Sequence, residues 1–111
     1  MRPVAVFLHS GAYEAVHQGL SIAASAASLG LQVELYFFWW ALERLVRGPL
    51  DEPDLREEVA DEMERRGVPT LRQLLEVVRG SGQARLFACS GSLAALGLAV
   101  AQVEPAVDQI V

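Results

Sequence analysis

Cys89 is the only cysteine in the chain, and it falls within "LFACSGSLAALG", residues 86–97. A short apolar run precedes it, and a small-residue stretch with helical character follows. A thiol between a strand's carboxyl end and a helix's start faces the unpaired N–H groups of that helix. Those groups and the helix dipole favour the thiolate, which is the nucleophilic form. Ser90 and Ser92, with Gly91 between them, could add hydrogen bonds or cap the helix. The competing reading is packing, since a free cysteine behaves as a small hydrophobe and is commonly buried. A lone cysteine forms neither an intramolecular disulfide nor a thiolate metal cluster.

His9 is the second titratable group at a strand end, and Ser10 and Gly11 follow it. It could serve as a general base, as a cationic partner for a thiolate, or as a bond to the loop backbone. His17 lies one turn after Tyr13 and reads as a helix-surface or interface residue. The two histidines are eight residues apart with no ligand cluster around them, so no metal site is expected. Trp39 and Trp40 follow Phe37 and Phe38 at another strand end. That aromatic patch reads either as core and capping packing or as a pocket lip or subunit interface. Ser10 and Ser90 lack a nucleophile-elbow context, and no glycine-rich phosphate loop is present.

The elements that must position these residues alternate along the chain. "PVAVFLH" (3–9) predicts a strand buried on both faces. Residues 12–29 predict a helix whose polar stripe is Glu14, Gln18, Ser21, Ser25 and Ser28, with Gly30 as its stop. "LQVELYFF" (31–38) is a second strand, and "WWALERLVRG" (39–48) is a short helix before Pro49. The charged stretch 51–66 predicts a surface helix capped by Asp54, with Leu55, Val59 and Met63 as a narrow seam. Its acidic residues read as a solvated face with i,i+4 partners such as Glu62 and Arg66. Thr70 caps a helix carrying Leu71, Leu74, Leu75 and Val78. "ARLFAC" (84–89) is a third strand, 91–101 a helix ended by Glu104 and Pro105, and "VDQIV" (107–111) a last strand.

Strands separated by helices run parallel with right-handed crossovers. The expected fold class is α/β, a three-layer α/β/α sandwich with a mainly parallel sheet, in one domain over 1–111. Ligands in such folds sit beyond the carboxyl ends of the strands. That rule selects His9-Ser10-Gly11, Phe38-Trp39-Trp40 and Cys89-Ser90-Gly91.

With 52% hydrophobic residues among 111, the chain is not a disordered one. The apolar surplus suggests surface covered by another subunit, so a homo-oligomer is expected. A net charge of −5 argues against nucleic acid as a partner. The amino end carries too short an apolar run for a signal peptide, and no stretch is long enough to span a membrane. A soluble, cytoplasmic protein is expected.

Taken together, these residues resemble the DsrE/DsrF-like family of small sulfur-relay proteins. The resemblance runs through "FLHSG", "AYEAVHQGLSIAASAASLG" and "LQVELYFF", and is most specific in "RLFACSGSLAALGL". It implies a DsrEFH-like three-layer domain that assembles into oligomers. It also implies a sulfurtransferase-like carrier in which Cys89 holds sulfur as a persulfide. That sulfur would pass from a donor protein to an acceptor protein, and no diffusible cofactor is required. The resemblance assigns no role to His9 or to the tryptophans. Two further readings stand beside it: a non-catalytic oligomeric binding or scaffold module, and a small-ligand binder at the strand-end pocket.

Overall fold

Four strands, β1 (Val4–Leu8), β2 (Val33–Phe37), β3 (Ala84–Ala88) and β4 (Gln109–Ile110), form one sheet in the order β1-β2-β3-β4. Every pairing is parallel. The structure is a computed structural model, and it describes residues 2–48, 50–52 and 54–111. Pro49 lies outside the described residues. The helices are α1 (Tyr13–Ser28), α2 (Trp39–Arg47), α3 (Glu57–Arg65), α4 (Leu71–Gly80), α5 (Ser90–Ala95) and α6 (Val100–Val103). A 3-10 turn over Glu104–Ala106 precedes β4. The expected class is present: α/β with a parallel sheet.

Alternation along the strands builds the core. Val4, Val6 and Leu8 of β1 face the helices together with Val33, Leu35 and Phe37 of β2 and Leu86 and Ala88 of β3. Onto them pack Val16, Leu20, Ala23 and Ala27 of α1, Ala41 and Leu42 of α2, and Leu71, Leu74 and Val78 of α4. Burying each large apolar side chain here contributes about 1.5–3 kcal/mol. Gly19 lets α1 descend onto β1, because a Cβ there would collide with Leu8 Cδ2.

The strand order explains one departure from expectation, the absence among the described residues of the second helix layer of a three-layer sandwich. Each crossover steps the same way across the sheet. Right-handed connections therefore carry every helix over the same face. Among the described residues one face of the sheet has no helix on it. β1 is accordingly buried on one side only: Phe7 is 60% exposed and Ala5 is also exposed. Phe87 is buried, yet it stands apart from the core cluster.

Three local readings also change. The stretch 91–101 is two helices rather than one, because Gly97 takes φ +68 and breaks the path between α5 and α6. Asp54 is not a helix cap: α3 begins later, with Arg56 as its N-cap. The Asp54 carboxylate instead accepts the Tyr13 N–H at 2.9 Å and pairs with Arg44 at 3.6 Å. Leu55 thus lies outside α3, and no residue of α3 is fully buried. Thr70 caps α4 as expected, in a reciprocal box with Gln73. No helix among the described residues is long and apolar enough to cross a membrane.

Candidate functional site

The parallel strands bring three segments to one edge. The backbone register runs one residue past each strand: Phe38 N–H donates to Leu8 O at 2.8 Å, and Cys89 N–H donates to Phe37 O at 3.1 Å. His9, Phe38 and Cys89 therefore stand side by side at the carboxyl ends of β1, β2 and β3. The His9 ring meets Phe38 edge-on at 6.5 Å. His9 and Cys89 are two strand spacings apart, about 10 Å. The imidazole is not hydrogen-bonded to the thiol among the described contacts, and the residue beside Cys89 is Phe38. His17 belongs elsewhere: it stacks on Tyr13, and its Nε2–H donates to Pro69 O at 3.0 Å.

Cys89 is the N-cap of α5, with extended backbone (φ −78, ψ 121) that turns the chain from strand into helix. Its thiol is partly exposed. The Ser92 N–H holds the thiol below the usual cysteine range. Partial burial opposes this, and the Ser92 hydroxyl and the Gly91 N–H add to it. The Cys89 side chain makes no capping hydrogen bond to α5, so these N–H groups act on the thiol through their proximity at the start of the helix. Ser92 is itself buried, at 4% exposure, so its donors are fixed. Ser90 is exposed and gives its N–H to Val111 O at 2.7 Å instead.

This geometry fixes a sign. A thiol whose folded pKa is depressed stabilises the fold above its unfolded pKa, and that contribution is lost as pH falls through the folded value. The alkylation rate of native Cys89 is expected to rise with a midpoint below about 8.5, the value of a free cysteine. Denaturation returns it to that value, and Ser92→Ala moves it part of the way. Stopped-flow alkylation across pH checks this; a native midpoint at or above the denatured one contradicts it.

The other two segments meet each other. Gly11 lies against the first turn of α2, where an added Cβ would stand 2.8 Å from Trp40 O and 2.9 Å from Trp40 Cβ. Ser10 Oγ accepts the Ala12 N–H at 3.2 Å and shapes that loop. Trp39 takes φ +44, a left-handed conformation costly for a non-glycine residue. Trp39 and Trp40 are 47% and 54% exposed, so core packing does not account for them. Trp40 and Gly11 border a cavity of about 520 Å³ with Glu43, Arg44, Arg47 and Glu52. Cys89 does not line it.

Arg44 holds this region together, and the sequence reading passed over it. Its Nε–H donates to Gly11 O at 2.6 Å, and its Nη1 donates to Leu50 O at 3.0 Å and Glu52 O at 2.9 Å. The guanidinium also lies over the Tyr13 ring, 5.8 Å from its centre. One signal was available: Arg44 falls three residues after Ala41, on the buried stripe of α2. A solvated arginine does not belong there. Among the described residues no group of three or more His, Cys, Asp or Glu is placed to hold a metal ion.

A parallel sheet in consecutive order, with its loops gathered at one edge, defines the fold. Among solved structures it is similar to the ychN protein from E. coli, with a TM-score of 0.63 over 100% of this chain and 98% of that chain. Sequence identity to it is 15%, so the likeness is one of fold. No protein-family model matches the chain, and no curated protein matches it.

Proposed function

We propose that this chain is a cytoplasmic sulfur carrier of the DsrE/DsrF-like kind, with Cys89 as the carrying thiol. The observation behind the reading is the place of Cys89, partly exposed at the carboxyl end of β3 and the N-cap of α5, where the nearby Ser92 N–H holds the thiol below its usual range. The fold shared with the ychN protein and the sequence resemblance support it. The Cys89 thiolate attacks the terminal sulfur of a donor persulfide. The donor's S–S bond breaks, its electron pair leaves on the donor thiolate, and a new S–S bond forms on Cys89. An acceptor thiolate then attacks the outer sulfur, and Cys89 leaves as a thiolate. No net oxidation occurs. Donors that lower the thiol's pKa raise the thiolate fraction for the first step and make Cys89 a better leaving group in the second.

The test is mass spectrometry after incubation with a small-molecule persulfide donor. The native chain is expected to gain one sulfur atom, removable by a thiol acceptor, and Cys89→Ser to gain none. No gain by the native chain, or equal gain by the serine variant, overturns the reading. The cavity between the Gly11 loop and α2 favours a second reading, a binder of a small polar ligand. Cys89 is dispensable in that case, so the serine variant separates the two.

A further inference from the structure

A second cavity, of about 460 Å³, lies between α3 and the start of α4. Gly67, at φ +69, turns the chain out of α3, and the Val68 N–H returns to Met63 O at 2.9 Å. That tight stop sets α3 beside the Thr70 cap of α4. The volume falls in the range of small-molecule sites, about 300–1,000 Å³. Cys89 does not border this cavity.

Its lining carries charge of one sign. Asp51, Asp61 and Glu64 border the cavity, and no arginine among the described residues does. Asp61 and Glu64 are three residues apart on α3, so they share one helix face. Arg65 and Arg66, the cations nearest to them in the chain, both pair with Glu62. Asp61 and Glu64 enter no ion pair among the described residues. The Asp51 carboxylate accepts the Arg72 N–H at 2.9 Å and has lone pairs to spare.

A buried hydroxyl is an independent sign of a ligand. Tyr13 is 5% exposed and borders the cavity, and its ring is covered by His17 and Arg44. The hydroxyl donates to no acceptor among the described residues, and the Leu71 N–H stands near its oxygen. No unpartnered side-chain polar atom among those residues is sealed from solvent, so the hydroxyl opens on the cavity. Burial, and then the Asp51 charge, push the phenol up, which keeps it neutral. A neutral hydroxyl oxygen carries two lone pairs, and one is left for a ligand.

We propose that this cavity binds a linear polyamine, a chain of ammonium groups joined by methylenes. The three carboxylates surround the cavity without converging, and they are not placed to hold a metal ion. A compact cation meets them one at a time, whereas a chain with spaced positive charges meets them together. Ammonium N–H groups donate to the carboxylates as charge-assisted hydrogen bonds, and one donates to the Tyr13 oxygen. Ala60, Met63 and Val68 supply apolar wall for the methylenes. The proposal does not depend on sulfur chemistry, and failure of the persulfide assay leaves it standing.

Isothermal titration calorimetry with spermidine tests it, with far-ultraviolet circular dichroism of each variant as the folding control. The native chain is expected to bind one molecule of spermidine per chain, and butylamine at least about 10-fold more weakly. Asp61→Asn and Glu64→Gln are each expected to raise the dissociation constant about fivefold. Tyr13→Phe keeps the ring, loses only the hydroxyl, and is expected to raise it about as much. Glu57→Gln removes the same charge from α3 away from the cavity, and is expected to change the constant by less than about twofold. Magnesium chloride is expected to compete no better than sodium chloride of equal ionic strength. A native chain that binds no spermidine overturns the proposal. So does a Glu57→Gln loss equal to that of Asp61→Asn, an unchanged constant in Tyr13→Phe, or stronger competition by magnesium.

Discussion

Replacing Arg44 with alanine is expected to lower the melting temperature by roughly 10 °C or more, without touching Cys89. The guanidinium serves three main-chain carbonyls, those of Gly11, Leu50 and Glu52. Hydrogen bonds from a charged donor are worth about 1.5–3 kcal/mol each, and an orphaned buried acceptor adds a cost. The side chain is only 13% exposed, so water does not simply take its place. The Asp54 carboxylate is 51% exposed and contributes little to the total. A net loss of about 3 kcal/mol follows, and a domain of this size converts that into the stated shift. Arg44→Lys is expected to recover less than half. A single ammonium cannot reach Gly11 on one side and Leu50 and Glu52 on the other, as the planar fork does. Calorimetry of both variants measures this, and a lysine variant as stable as the native chain contradicts it.

Gly11→Ala carries the next largest effect, and its sign is the informative part. Glycine to alanine in a permissive backbone ordinarily stabilises by about 0.4–1 kcal/mol. Here the new Cβ meets Trp40 O at 2.8 Å and Trp40 C at 3.1 Å, which are main-chain atoms in the first turn of α2. They cannot swing aside as a side-chain tip can. Overpacking of this kind costs about 1–3 kcal/mol. The melting temperature is expected to fall by about 8 °C, since each kcal/mol moves it by roughly 4 °C. The chain has two tryptophans, and both sit where α2 must move. Their fluorescence is therefore expected to change in the folded state. A more stable variant with native fluorescence would refute the contact.

Local signals were legible in the sequence, and distant ones were not. Thr70 and Gln73 form their box within one turn, so three residues of spacing were enough to read it. Asp54 looked like the same kind of cap. Its actual donor is Tyr13 N–H, 41 residues earlier in the chain, and no local pattern encodes that. The strand-end location of Cys89 was legible because an apolar run gives way there to small residues. Which serine serves the thiol was not, because the helix was read as starting at 91. It starts at Ser90, which makes Cys89 the N-cap and places Gly91 and Ser92 in the turn beside the thiol. The exposure of Phe7 depends on strand order, and an apolar run reads alike whether one or both of its faces are covered.

That strand order also bears on how the chain acquires its structure. Each strand lies next to the strand before it in the sequence, so no strand is inserted between two already paired. Every closure spans a single crossover, which keeps the entropy lost at each step small. A chain synthesised from its amino end can join β1, α1 and β2 before β3 has been made. Growth is vectorial, one strand at a time onto a free edge. Cys89 is added only when the third strand docks.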